Sequence, residues 1–306
     1  VPAAPRTRPL LLRGAEVHTV SGPVLPATDV LIGVDGTISA IGAGYPLDSV
    51  ARTTVHAEDA LYDLRMARRS RSFADSSLAD IAGTIAGEHG LQARVDVGKV
   101  QRAVIAQLNQ SDLAFLRGLA RQEDAEVWLD GNVLHVSRRP DRGVGCDTPR
   151  LSYGSNLLSF RVLADLAEQV SEVRATGWSV SDKQAIDEAA GAGELGAELG
   201  SLTSGTRLLE QERGKRTAPL VRNVPPPAGE AKALAKAAYL ERARRFVTGT
   251  AVTGGTPAAQ VGGPVELIGL GTLFDGRYAV TRVRHRFDLQ RGLRTYLDVE
   301  RPGIGG

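Results

Sequence analysis

Apolar positions in this chain follow two rhythms, and the rhythm changes several times along its length. From residue 1 to residue 64 they come in short runs, "PLLLRGAEVHTV", "DVLIG", "TISAIGAG" and "RTTVHAED", broken by Gly, Pro and Asp. Such runs predict strands joined by turns. The spacing then switches. In "SSLADIAGTIAGEHG", Leu78, Ile81, Ala82 and Ile85 share one helical face, Ser77 and Asp80 stand in the capping-box relation, and Gly90 can take the left-handed stop. "LQARVDV" reads as a strand after it.

The cleanest pattern is "QLNQSDLAFLRGLARQEDAEVWLDGNVLHV", Gln107 to Val136. Ser111 can cap a helix whose apolar stripe is Leu113, Phe115, Leu116, Leu119 and Ala120. "AEVWLDGNVLHV" then alternates around Asp130-Gly131, a dipeptide suited to the positive φ angles of a two-residue hairpin turn. Phe115 and Trp128 read as core anchors, so 65–149 is expected to be a small α/β module with its own core.

After the turn-rich "PDRGVGCDTP", "NLLSFRVLAD" and "EQVSEVRATGWSV" have strand-like composition, the first also readable as helix. Residues 183–228 turn Ala/Gly-rich, an expected site of partial disorder, and end in the stiff linker "NVPPPAG". "GEAKALAKAAYLERARRFVTG" predicts a helix: Ala233, Leu234, Ala237, Leu240, Ala243 and Val247 recur at three- and four-residue steps, with Pro227 before and Gly249 after. The chain closes on the β-type runs "GPVELIGLG", "GRYAVTRVRHRF" and "LRTYLDVER". There is an internal echo as well. Asp35–Asp59 and Asp275–Glu300 each begin Asp-Gly, alternate, pass an aromatic (Tyr45, Phe287) and turn into a Thr-containing strand, which suggests two related β-domains in tandem.

Composition narrows the function classes. The 306 residues leave room for two or more domains, with 42% hydrophobic and 24% charged residues, as in ordinary globular proteins. The lone Cys146 excludes an intramolecular disulfide. A net charge of +2 does not mark a nucleic-acid binder, and the basic clusters "RMARRSR", "RARR" and "RVRHR" read as solvated faces or pairing elements. No apolar run approaches the roughly 20 residues of a membrane helix. The chain opens on Val with no signal-peptide pattern, which points to a processed or trimmed start.

Candidate chemistry is sparse. His18, His56, His89, His135 and His285 are scattered without metal-ligand spacing. "GLGTLFDG" lacks the third glycine of a nucleotide loop and precedes a strand, so it reads as a turn. There is no Gly-x-Ser-x-Gly elbow, and carboxylate pairs such as Glu123/Asp124 sit in helix-end contexts. "LLLRGAEVHTVSG…TDVLIGVDGTISAIGAG" is similar to the opening strands of the amidohydrolase superfamily, but the His-x-His pair expected next is replaced by "HAEDALYDLRMARR".

A second resemblance runs through most of the chain. "EDALYDLRMARRSRSF…SLADIAGTIAGEHGL" resembles the late-control D family of phage tail hub proteins, which includes the amino-terminal half of the spike protein VgrG and the hubs of tail-like contractile injection systems. The Asn-x-Ser-Asp-x-x-Phe-Leu helix and hairpin of 107–136, the strands of 156–186, and "GLGTLFDGRYAVTRVRHRFDLQRGLRTYLDVER" are similar to its most recognisable segments. The match covers about 30–183 and 228–302, while residues 1–30 match poorly.

The resemblance implies an α+β, mainly β fold with two tandem β-barrels. These would be 1–64 and 150–306, the latter with a helical insertion at about 183–248, and the 65–149 module would brace them. It marks Asn109, Ser111, Asp112, Phe115, Leu116, Trp128, Gly131, Trp178, Gly276, Tyr278 and His285 as family-motif structural residues. Arg68, Arg69, Arg282 and Arg284 are candidate intersubunit contacts. The implied function is a homotrimeric baseplate hub, a non-enzymatic symmetry adaptor joining a sixfold inner tube protein to a threefold spike protein beside other baseplate proteins. No catalytic residue, metal or cofactor is expected, and neither nucleic acid nor stable membrane insertion. Such a protein is made in the bacterial cytoplasm, assembled into a phage tail or tail-like particle, and carried out with the spike on contraction. The chain stops at "PGIGG" without a needle, so the spike is expected to be a separate polypeptide. The rival readings are a metal-dependent amidohydrolase-like fragment and a non-trimeric β-rich binding or scaffold protein.

Overall fold

The computed structural model describes residues 10–13, 29–32, 37–45, 47, 52–98, 100–179, 183–220, 228–288 and 290–305. Among these, all four strand runs of the first 64 residues are strands. β1 (Leu10–Arg13) pairs antiparallel with β2 (Asp29–Ile32), and β3 (Thr37–Gly44) with β4 (Arg52–Glu58). Among the described residues neither pair joins a larger sheet.

The next stretch alternates helix and strand: α1 (Leu61–Met66), β5 (Arg68–Ser76), α2 (Leu78–Glu88), β6 (Gln92–Asp96), β7 (Arg102–Ser111), α3 (Asp112–Gln122), β8 (Ala125–Asp130), β9 (Val133–Arg138) and α4 (Arg139–Arg142). β5 pairs with β7, while β9 lies between β6, to which it is parallel, and antiparallel β8. Local chemistry sets these boundaries. The Ser77 N–H donates to Asp80 Oδ2 at 2.8 Å and Ser77 Oγ accepts the Asp80 N–H, which is the capping box the sequence predicts. Gly90, at φ +69°, takes the left-handed position just after α2. Leu78, Ile81, Ala82 and Ile85 meet the α3 stripe Leu113, Phe115, Leu116, Leu119 and Ala120 in one core with Leu134 and Val136. Each large side chain there contributes roughly 1.5–3 kcal/mol by leaving water. The hairpin turn differs from expectation by one residue. Asp130 still pairs with Val133, so Gly131-Asn132 forms the turn, and Gly131 supplies the positive φ of 55°.

The remaining elements are β10 (Arg150–Ser152), β11 (Leu157–Ala164), β12 (Glu172–Ser179), β13 (Gln184–Gly191), a 3-10 helix (Ala192–Glu198), β14 (Thr203–Ser204), α5 (Gly205–Arg213), β15 (Thr217–Leu220), α6 (Ala228–Arg244), β16 (Val247–Thr253), β17 (Pro264–Ile268), β18 (Gly276–Asp288), β19 (Gly292–Arg301) and β20 (Gly303–Ile304). Six strands form a curled sheet in the order β10-β17-β18-β19-β16-β11. Its two border strands are consecutive in the chain and touch through a Tyr153–Leu157 bridge. Leu151, Leu157, Val265, Leu267, Tyr278, Val280, Leu297 and Val299 fill its inner side.

A three-stranded sheet, β13-β12-β15, lies against α6, whose Ala231, Ala235, Tyr239, Leu240 and Ala243 pack with Val173, Ile186 and Ala190. The predicted helix is present but stops at Arg244. Val247, placed on its stripe by the sequence, begins β16, where β-branched residues pair with β11 and β19. The expectation of disorder at 183–228 does not hold for 183–220, because Ile186, Ala190, Leu195 and Leu209 are buried and order the segment. Residues 221–227, the bulk of the proline linker, lie outside the described residues. The class is α+β, mainly β, as the sequence implies.

The internal echo has a structural counterpart. In β3 the register shifts between Ile38 and Ala40, and in β18 between Val280 and Arg282, so each pair carries a β-bulge in its leading strand, at Ser39 and Thr281. β18–β19 is flanked by β17 and β16.

Candidate functional site

The motif residues near the start of α3 converge on one carboxylate. Asp112, 2% exposed, accepts from Gln107 Nε2 at 2.8 Å and Arg71 Nη2 at 3.0 Å, and lies 3.0 Å from His89 Nε2 and 3.4 Å from Arg69 Nε. Arg71 also donates to Gln107 Oε1 at 2.8 Å and to Glu88 Oε1 at 2.6 Å, and Arg69 pairs with Glu88. One carboxylate therefore ties β5, β7, the end of α2 and the start of α3. Burial alone would raise the Asp112 pKa. The hydrogen bonds from His89 and Gln107 and the charges of Arg69 and Arg71 outweigh it and hold the carboxyl below its ordinary value. Glu88 is lowered in the same way by Arg71 and Arg69, against a burial effect that raises it.

The rest of the motif is conformational. Asn109 sits at φ +47°, where asparagine is tolerated better than most residues, at a bulge between β5 and β7. Its N–H donates to Ser70 Oγ at 3.1 Å and its carbonyl accepts from Arg68 at 2.9 Å. Ser111 Oγ accepts the Ala114 N–H at 3.3 Å and caps α3. Phe115 stacks on Phe73 with centroids 5.8 Å apart, and Leu116 is fully buried. Trp128 departs from the expected core anchor. Ala125 and Val127 take the core side of β8, leaving Trp128 half-buried on the other side against His135, with the Arg142 guanidinium 4.7 Å above its ring. Gly131 makes the turn, and Trp178 is 54% exposed on β12.

Three further charged clusters join this region to the rest of the chain. Arg244, at the end of α6 and 4% exposed, makes paired contacts to Asp124 (2.5 and 2.7 Å) and to Glu198 (2.7 and 2.8 Å). Burial opposes the Arg244 charge, but these two carboxylates more than offset it and raise its pKa. Arg139 bridges Glu126 at 3.3 Å and the buried Glu300, whose pKa is raised by burial against the pull of Arg139. Arg102 lies 3.4 Å from Glu123 and 3.1 Å from Glu230, yet its Nε and both Glu123 oxygens lack aligned hydrogen bonds. Burial, helped by Glu230 and opposed by Arg102, raises the Glu123 pKa.

A cavity of about 1060 Å³ opens between α4, the 3-10 helix and the Gly269–Gly276 loop. That loop is a closed turn. Leu270 N–H donates to Asp275 Oδ1 at 2.5 Å and Asp275 N–H to the Gly271 carbonyl at 2.9 Å, with Gly276 at φ +120°. Arg301 braces it by donating to the Leu273 and Asp275 carbonyls, its guanidinium 4.5 Å from the Tyr278 ring centre. Burial pushes the Tyr278 hydroxyl up to about 12 while that hydroxyl donates to the Phe274 carbonyl at 2.8 Å. His285 is buried beside Thr295 Oγ1 at 2.9 Å, and burial pushes its pKa down.

The structure thus brings Arg68, Arg69, Asn109, Ser111 and Asp112 together, and Gly276 with Tyr278, but it keeps those two groups apart. Arg69 turns inward to Glu88 and Asp112, while Arg282 and Arg284 lie on the outer side of β18. Gln107, Arg102 and Arg301 were not singled out by sequence, and Arg71 and Arg244 were read only as members of the basic clusters "RMARRSR" and "RARR", whereas Arg244 is buried rather than on a solvated face. Arg244 carried a readable signal, an arginine four positions after Leu240 on the buried stripe of α6. Among the described residues, no group of three or more His, Cys, Asp or Glu is placed to hold a metal ion.

The same fold occurs in solved phage tail proteins. A tail protein from Neisseria meningitidis MC58 aligns with a TM-score of 0.64 at 16% identity, covering 94% of this chain and 86% of that one. The 43 kDa tail protein of prophage MuSo2 from Shewanella oneidensis aligns at 0.63 and 15%, covering 87% and 77%. Prophage tail protein gp18 from Listeria monocytogenes EGD-e aligns at 0.55 and 12%, covering 92% and 82%. At these identities the likeness is one of fold. No curated protein matches the sequence. The family model described as the Alg8 N-terminal domain matches residues 46–288, most of the chain, and the chain belongs to that family.

Proposed function

We propose that the protein is a structural hub of a phage tail or tail-like contractile injection particle, of the late-control D type, in which three copies join the inner tube to the spike. The observation that carries this reading is the recurrence of a bulged antiparallel hairpin, β3–β4 and β18–β19, within a fold shared with phage tail proteins. Two related β-units in one chain let three copies present six similar surfaces. The second unit is the curled six-stranded sheet and the first is built around β3–β4. The 65–149 module is tied to the second unit through Arg244, Arg139 and Arg102 and to β4 of the first through Arg65 and Glu58, and its Asp112 cluster serves rigidity, so this reading assigns it no catalytic step. Assembly would proceed in the bacterial cytoplasm, with tube, spike and other baseplate proteins as partners.

Native mass spectrometry of the full chain at micromolar concentration tests the reading. The expected species is the trimer. A chain that stays monomeric both alone and mixed with its particle's spike protein would overturn the trimeric hub.

A further inference from the structure

The outer side of the curled sheet carries an arrangement of arginines that the monomer does not balance. Before its bulge, β18 points Tyr278 and Val280 inward, and after it Val283 and His285. The extra residue, Thr281, resets the alternation so that Arg282, Arg284 and Arg286 all face out, about 6.5–7 Å apart along the strand. Without it, the three would continue the inward phase of Tyr278 and Val280. Neighbouring strands add to the same face. Arg294 lies directly opposite Arg286, and Arg161 of β11 shares the row of Thr250, Asp298 and Arg282. Among the described residues, the ion pair on this face is Arg282 with Asp298 at 3.3 Å. Arg284 lies over the Tyr296 ring at 5.0 Å, and Arg294 reaches the Leu293 carbonyl. Like charges set opposite each other on paired strands destabilise a sheet, so the Arg286–Arg294 juxtaposition works against the isolated chain.

We propose that this face docks an acidic protein surface, whose carboxylates complete the arginines that have none. Arg284 stacked over Tyr296 is the composition of protein interfaces. Exposed carboxylates such as Asp63, Asp96, Asp130 and Glu212 also lie on this chain, so a second copy is the rival occupant, and self-association of the wild type would reveal it. The proposal rests on the face alone and stands or falls separately from the trimeric hub.

The test uses the full chain and labelled poly-L-glutamate, with binding read by fluorescence anisotropy at low and at physiological salt. The triple variant Arg284→Glu, Arg286→Glu, Arg294→Glu should weaken binding by about tenfold or more. The exposed control Arg213→Glu, Lys215→Glu, Arg216→Glu, of equal charge change, should not. A triple Arg→Gln variant at the first three positions keeps the test available if charge reversal prevents folding. The single change Arg286→Glu places opposite charges across the strands and should raise Tm by about 1–2 °C. Equal loss in face and control variants would reduce the effect to net charge and overturn the proposal. So would tighter binding of a single-stranded oligonucleotide that the face variant abolishes, or self-association of the wild type that it abolishes.

Discussion

The Asp112 and Arg102 clusters both bury charge in the region between residues 65 and 149, but their surroundings have opposite effects. Around Asp112 the acceptors are met by aligned donors, Gln107, Arg71 and His89, and the carboxyl is held below its usual value. Around Arg102, at the boundary with α6, two carboxylates and one guanidinium are close without alignment, and Glu123 is pushed above its usual value. The lesson is that desolvation dominates wherever geometry leaves donors unaligned. A fixed knot within the module and a looser charged seam at its edge follow from the same residue types.

Four measurements would break or sharpen this contrast. The largest effect is expected from Asp112→Ala, which leaves Arg71, Arg69 and buried Gln107 without their shared acceptor and should destabilise by about 3–5 kcal/mol in chemical denaturation. Arg244→Met should follow at about 2–3 kcal/mol, smaller because Asp124 and Glu198 keep some solvent once their partner is gone; calorimetry should show the melt broadening. Ser111→Ala removes one cap and should lower stability by about 1 kcal/mol, seen as a modest fall in Tm. The double change Arg102→Met, Glu123→Leu should lie within about 1 kcal/mol of neutral or stabilise, the opposite sign to Asp112→Ala.

Acid titration separates the two clusters further. Asp112 has a depressed folded pKa, so its contribution is complete above the unfolded value of about 3.9 and is lost as pH falls through the lower folded value. Glu123 and Glu300 have raised folded values. Between about 4.3 and those values the native chain holds more protons than the unfolded one, so their effect on stability improves as pH falls there. Urea midpoints across that window should drop less steeply in the wild type than in a Glu300→Gln variant.

What the sequence made legible is what local chemistry decides. The α2 and α3 stripes, the Ser77 box, the Ser111 cap and the four early strands depend on residues within a turn or two of each other, and all appear as expected. The charged clusters were not legible, because Arg71 meets Asp112 across 41 positions and Arg244 meets Asp124 across 120. The one-residue error at Gly131 and the outward turn of Trp128 have a related cause. Alternation shows that a strand has two sides, while the neighbours decide which side is core. The Ala/Gly-rich 183–220 misled for the converse reason. Small residues looked like absent structure, yet Gly205 is needed where a Cβ would fall 2.5 Å from the Phe246 ring.

The meeting of β10 and β11 constrains the sheet's shape without a full ladder. Residues 153–156 join these border strands, and a link that short spans at most about 14 Å when fully stretched. The hoop is therefore latched by covalent chain rather than by a zipper of amide bonds, and its girth at that end can breathe only within the slack of one tether.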